Sequence, residues 1–342
     1  MIVPMTIILS HTSALDVLRS PRAEAPPCAK PPAHNAREES AIRFETVPNA
    51  KAAKLLETTK PLSLELAETM GILYPNGDER RVHHLIPNEA FRSRSRIAAP
   101  HTFPHKLPSR ALTPVARSLY MTSPSFTFFL LAPTLPICQT VALAYELCGS
   151  YRLAAGSFEQ HAPLATTAAL STCAAELAHA RGASAARRSA KFVMDGSASP
   201  METMLATILS LPCKYGGYGL PTPLLNHRID LSPNAQRIAR KRFVKCDLFW
   251  PDGNLCVEYN SNKHHTGAER IDSDARRQAA LLDMGVTVIT ITAGQILNVE
   301  SCDAAAKAIA KKIGRRIRPQ APWRAAQGKM RRDLLEWHGL RA

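Results

Sequence analysis

The sequence predicts an α/β protein, and three features of its second half carry that prediction. Between residues 199 and 313 the apolar pattern runs helix, strands, helix, strand, helix. Two apolar-rich runs, Phe243 to Trp250 and Leu255 to Asn260, flank Pro251-Asp252-Gly253-Asn254, a strong hairpin-turn signal. Val286 to Thr292 reads as a period-two strand with Val286, Val288 and Ile289 toward the core. The N-terminal half reads as a mixed α+β region.

In chain order, residues 10–19 predict a short helix. Residues 20–50 are rich in Pro, Ala and charge without a clear period, and predict a loop or flexible segment. Leu62 to Met70 has the spacing of a short amphipathic helix. From there to about residue 118, frequent Arg, His and Pro fit short strands and loops. Leu119 to Thr122 predicts a strand, Ser123-Pro124 a helix cap, and Val141 to Cys148 a helix that Gly149 stops. Ala168 to Arg181 is an Ala-rich helix. A second module starts near Ser189. In Ser199-Pro200-Met201-Glu202, Ser199 is an N-cap, Pro200 takes the first helical position and Glu202 lies in the first turn. Met204, Leu205, Ile208 and Leu211 follow at helical spacing. Gly216 to Pro223 is a Gly/Pro loop, and the hairpin comes next. Residues 260–267 (NSNKHHTG) form a polar loop. Ser273 to Met284 predicts a helix ending at Gly285, and Ala304 to Ile313 another. The organisation is a helix and flexible segment (1–60), an α+β region (61–188), the α/β module (189–314) and a basic tail (315–342).

A chain of 342 residues holds two domains or one large one. With 43 Lys+Arg against 28 Asp+Glu, its formal charge is +15, which favours nucleic acid or an acidic membrane surface as partner. The eight cysteines contain no C-x-x-C and read mostly as free thiols of a reducing cytosol. The opening MIVPMTIILS is short and has no basic stretch before it, so it makes a poor signal peptide. Pro133 and Pro136 break the apolar run Phe126 to Ile137, which falls short of the ~20 residues a membrane span needs. A cytoplasmic protein is expected.

If the hairpin is centred between Asp252 and Gly253, paired positions add to 505, and Asp247 lies opposite Glu258. Opposed carboxylates on one face repel, so one binds a proton or both share a cation. Mg²⁺ (or Mn²⁺) suits them, because hard cations take oxygen ligands and keep waters for chemistry. The plain alternative is two exposed strand carboxylates. Glu202 could point at the same site, or simply favour the helix dipole. Lys245 and Asn260 also add to 505; the lysine could orient water, or be an ordinary edge lysine. His264 and His265 could handle a proton or touch phosphate, or belong to a polar loop. Asp274 and Arg277, three apart, could form a plain helix-surface salt bridge, or Arg276 or Arg277 could reach a phosphate. Cys246, Cys256, His264 and His265 match no strong zinc spacing.

Several pieces between Ser197 and Gln295 occur together: S-x-S-P-x-E at Ser197 to Glu202, G-L-P-x-P-x-x-N at Gly219 to Asn226, and D-L-x-W-P at Asp247 to Pro251. Val257-Glu258-Tyr259, His264-His265, D-x-x-R-x-x-x-L-x-x-x-G from Asp274 to Gly285 and a V-T-V-I-T strand follow. In order and spacing they resemble the Vsr-like domain family of the restriction-endonuclease-like, PD-(D/E)XK superfamily. The resemblance implies a mixed β-sheet core flanked by helices, Asp247 and Glu258 as metal ligands, and Glu202 as a first-helix acid. It also implies Mg²⁺-dependent cleavage of DNA. Arg270, Arg276, Arg277, Lys311, Lys312, Arg315, Arg316 and His264 would hold the nucleic acid, with Lys245 or His265 handling the proton. One position departs from the superfamily's E-x-K: Asn260 stands where a lysine, or often an aspartate in this family, is expected. An amide brings no charge. Either Lys245 or Lys263 replaces the lysine, or the chain binds DNA without cutting it. A third reading makes the N-terminal half the working part, contacting a protein partner.

Overall fold

Hydrophobic patterning builds two units, residues 1–147 with 162–191 and residues 148–161 with 192–342. The computed structural model describes residues 6–20, 45–70, 80–92, 94–154, 156–260, 268–319 and 321–340.

The first unit contains β1 (Ile7–Leu9), α1 (His11–Arg19), α2 (Asn49–Glu57), α3 (Leu64–Met70), β2 (Val82–Ile86), β3 (Ala98–Thr102), β4 (Leu112–Ala116), β5 (Leu119–Thr122), α4 (Pro124–Leu131), α5 (Ile137–Cys148), α6 (Thr167–Glu176) and α7 (Ala183–Ala190). Its five-stranded mixed sheet has the order β3-β2-β1-β5-β4. The apolar run broken by prolines is α4, a core helix: Phe126, Phe128 and Phe129 are buried. A helix apolar all round is stable in water only when surrounded by protein. Among the described residues no helix is long and apolar enough to cross a membrane.

The second unit contains the antiparallel hairpin β6 (Tyr151–Ala154) and β7 (Ser157–Gln160), then α8 (Pro200–Ser210), β8 (Leu224–Asp230), α9 (Pro233–Ala239), β9 (Phe243–Trp250), β10 (Leu255–Asn260), α10 (Ala268–Asp283), β11 (Thr287–Thr292), α11 (Ala293–Leu297), α12 (Val299–Lys312) and α13 (Trp323–Trp337). The sheet order is β11-β10-β9-β8; β10 and β11 are parallel, and the other neighbours antiparallel. The protein is thus mixed α/β, with sheets flanked by helices.

The structure differs from the sequence reading in four places, two of them with a local cause. Strand β8 and helix α9 were not anticipated, because Asn226 at φ +45° interrupts the alternation of β8. Helix α12 begins at Val299, five residues earlier than expected, because the Asn298 side chain caps it by accepting the Ser301 N–H. The described part of the basic tail is largely helix α13, with Met330 and Leu334 buried. Val286 enters the core and Val288 packs against it, as expected; within β11 the fully buried residue is Ile291, and Ile289 is only half-buried.

Helix α13 is tied back to the Gly216-Gly217 turn. Trp323 Nε1 donates to the Gly217 carbonyl at 2.9 Å, and a Cβ on Gly217 would overlap the Leu211 carbonyl. Gly217→Ala is expected to cost about 1–3 kcal/mol of overpacking strain. It would be read as a lower urea midpoint at unchanged slope; an unshifted midpoint would show that the turn relaxes freely.

Candidate functional site

The hairpin has the bounds and register the sequence implies. Leu255 pairs with Trp250, Cys256 with Phe249 and Val257 with Leu248, around the turn Pro251–Gly253 and Asn254 at φ +43°. One correction follows: the ladder stops at Val257↔Leu248. Asp247 and Glu258, next in register, are not a ladder pair. Instead Asp247 Oδ2 accepts the Tyr259 N–H at 2.8 Å. The expected Lys245–Asn260 opposition is not formed either. Lys245 pairs with Arg228 on β8, and Asn260 with Thr292 on β11.

The strands part because side-chain direction changes at Asp247. Val244 and Cys246 before it and Phe249 after it all enter one core with Ala280 and Leu281 of α10. Strict alternation would send Phe249 to the opposite face from Cys246. Across from Asp247, between the pairs Leu225↔Leu248 and His227↔Cys246, lies Asn226 with its left-handed backbone. Such irregularities re-aim side chains at the cost of ladder bonds.

Asn226 also anchors the third acid. Its Nδ2 donates to Glu202 Oε2 at 2.7 Å and to the Gly196 carbonyl at 2.9 Å. Glu202 Oε2 further accepts the Ala198 N–H at 3.0 Å, and Oε1 accepts the Ser199 hydroxyl at 2.9 Å. Ser199 Oγ in turn accepts the Glu202 N–H, as the N-cap reading expects. Glu202 is therefore a buried carboxylate on a fixed mount.

The three acids feel one another. Burial first, then Glu258 and Glu202, raise the Asp247 carboxyl to about 7, against the opposing pull of the Tyr259 N–H and Arg277. Burial likewise lifts Glu202 above the ordinary carboxylate range; its three hydrogen bonds oppose that lift and Glu258 adds to it. The three carboxylates are not drawn within 4.8 Å of one another, as the Cys246, Cys256 and Glu258 ligand atoms are. Glu258 Oε1 instead accepts Arg277 Nη2 at 2.6 Å, and Arg277 also donates to the Lys245 carbonyl.

Arg277 thus joins the acids to a cavity of about 470 Å³ that it lines with Lys241, Arg242, Phe243, Val244 and Lys245. Lys241 and Arg242 were missed in the sequence, because only the fold brings the α9–β9 connection beside α10. The alternatives for the two arginines are now separated. Arg277 meets Glu258, not Asp274, whereas Arg276 is held by Asp272 on its own helix. Lys311, Arg315 and Arg316 line a second cavity, of about 670 Å³, with Lys307 and Arg324. Lys312 is exposed and is not among its lining residues. Lys263, His264 and His265 lie outside the described residues, as does the side chain of Arg270.

The expectation of free thiols holds for Cys138, Cys148, Cys173, Cys213 and Cys302. Cys246 and Cys256 are the exception among the described residues: they form a disulfide with Cα atoms 5.8 Å apart, and the thiols are mostly free, as expected. They lie ten positions apart in sequence, so a local composition pattern did not mark them as a pair. Their own faces of β9 and β10 bring them together, and the Cys256 sulfur lies 2.7 Å from Glu258 Oε1.

No protein-family description matches the chain, and neither a curated protein nor a solved structure matches it.

Proposed function

We propose that the second unit is a metal-dependent DNA endonuclease with a restriction-endonuclease-like, Vsr-like core. The observation that carries this reading is the placement of Asp247 and Glu258 next in register where β9 and β10 part, in the same unit as the buried, hydrogen-bonded Glu202; the upward shift of the Asp247 carboxyl by burial, Glu258 and Glu202 agrees with it. Buried acids that raise one another favour a hard divalent cation among them, and binding one would draw these carboxylates closer than they stand here. The donor set fits Mg²⁺ or Mn²⁺, since it offers carboxylate oxygens. Asp247 and Glu258 would hold the ion, with Glu202 supporting them. When bound, the ion supplies a more acidic water and offsets charge on the phosphate.

The remaining work falls to the chain's own groups. Asn226 and Ser199 keep Glu202 in place. Arg277 balances Glu258 and sets its direction. Lys241, Arg242 and Lys245 supply positive charge along the adjoining cavity for the DNA backbone, and Lys311, Arg315 and Arg316 do so along the other. Lys312 and Arg276 add positive charge to the unit; Arg270 and His264 as phosphate contacts and His265 as proton carrier rest on the sequence alone. The expected formal charge of +15 is in keeping with such a partner.

A second reading has its own support. Asn260 carries no charge where the superfamily places a lysine, and Lys245 pairs toward β8 instead of toward Asn260. On that reading the unit binds DNA without cutting it.

Nicking of supercoiled plasmid with Mg²⁺ separates the two. The endonuclease reading expects nicking by the wild type and a loss of about a hundredfold or more in Asp247→Ala, since such ions contribute several kcal/mol. Salt-sensitive binding without cleavage of any DNA form would leave the second reading. Equal nicking by Asp247→Ala would move the site elsewhere.

A further inference from the structure

The first unit contains a cluster that the acid site does not use. His11 opens α1, His83 lies on β2 and His101 on β3. In the parallel β2–β3 register His83 faces Ala99 and His101 faces Leu85, so the two histidines lie one pleat apart on one side of the sheet. Their rings meet, with His101 Nε2 2.9 Å from His83 Nδ1. His11 stacks on His101 with centroids 3.9 Å apart. One ring nitrogen of each histidine lies within 4.8 Å of the others. His11 reaches this position with φ +50°, a backbone conformation that costs a residue with a Cβ and points to a required placement.

We propose that His11, His83 and His101 form a binding site for a borderline divalent metal of the Zn²⁺ class, with an oxygen anion as the fourth ligand. Three imidazoles and one open position are a common set for a reactive zinc ion. Burial and mutual repulsion hold His11 down to about 3 and His101 to about 4, so these rings present lone pairs, as ligation requires. Tetrahedral coordination places ligand nitrogens about 3.3 Å apart for Zn–N bonds of about 2.0–2.1 Å. Ligation replaces the His83–His101 hydrogen bond at 2.9 Å and turns the stacked His11 ring so that the three lone pairs meet at one ion. His11 Nδ1 lies 3.0 Å from Ser10 Oγ, a partner that fixes the ring and leaves Nε2 as the donor.

The anionic fourth ligand follows from the surroundings. His101 lines a cavity of about 380 Å³ together with Arg81, Arg92, Arg94 and Ser95. Arg92 is already paired with Glu89, and Asp16 acts on His83 from the other side, so Arg81 and Arg94 are the cations left to answer; a dication beside them is favoured when negative charge enters with it. A phosphate or carboxylate oxygen supplies that charge and suits the arginines.

Co²⁺ is a suitable probe for the full-length chain, because tetrahedral nitrogen coordination gives it intense visible absorption. One equivalent should produce that band in the wild type and in Asp247→Ala, where the acid site is broken. His83→Ala and His101→Ala, shown to be folded by circular dichroism, should lose it. Should either variant fail to fold, ring ¹⁵N spectra of the wild type replace it: Zn²⁺ should shift three histidines together. No band in the wild type, a band that survives in folded His101→Ala, or a band lost in Asp247→Ala would overturn the site. Inorganic phosphate should shift the band; an unmoved band would overturn the anionic fourth ligand.

Discussion

Asp247→Asn is expected to make the protein more stable at pH 8 while abolishing its response to Mg²⁺. The Asp247 carboxyl is raised to about 7 in the folded chain, chiefly by burial and then by Glu258 and Glu202. In the unfolded chain it titrates near 3.9. Between those values the folded state retains a proton that the unfolded state releases, so stability falls as pH rises through the window. The full penalty is on the order of 4 kcal/mol and is shared by the coupled acids. Asn is neutral throughout and escapes it. Urea midpoints of the two proteins should therefore nearly coincide at pH 4 and diverge by pH 8 in favour of Asn. Mg²⁺ should then raise the wild-type midpoint by mass action and leave the Asn variant unmoved. Equal midpoints at pH 8 would show that the acids do not press on Asp247 as the geometry implies.

The second large effect belongs to Arg277. It donates to Glu258 at 2.6 Å and to the Lys245 carbonyl, with side chains 23% and 14% exposed for Arg277 and Glu258. Arg277→Met takes from Glu258 its ion-pair partner, in a site that also contains Asp247 and Glu202. Breaking a largely buried pair on one side costs about 3–5 kcal/mol, and the partial exposure here places the loss near the lower figure. Adding Glu258→Gln removes the stranded charge, and the double variant should recover much of the loss. A double-mutant cycle at pH 8 measures this directly. Additive losses would mean that the guanidinium acts through packing alone.

The hairpin was legible because two signals agreed. Alternating apolar residues set the extent of β9 and β10, and Pro251 to Asn254 set a four-residue turn, so Leu255 falls opposite Trp250. The capped start of α8 was legible because Ser199, Pro200 and Glu202 act within four residues. Strand β8 escaped notice because its pattern breaks at Asn226. Placing Asp247 opposite Glu258 assumed that the ladder runs its full length, and it ends one pair earlier.

By itself the sequence determined which residues prefer helix, strand or turn, and that Asp247 and Glu258 belong to adjoining strands. Those choices rest on interactions among neighbours along the chain. Only the tertiary structure decided that β9 and β10 part at Asp247, that Asn226 holds Glu202, that Arg277 and not Arg276 meets Glu258, and that His11, His83 and His101 converge. Each of these joins residues at least 18 positions apart or depends on a backbone irregularity, and periodicity contains no term for either.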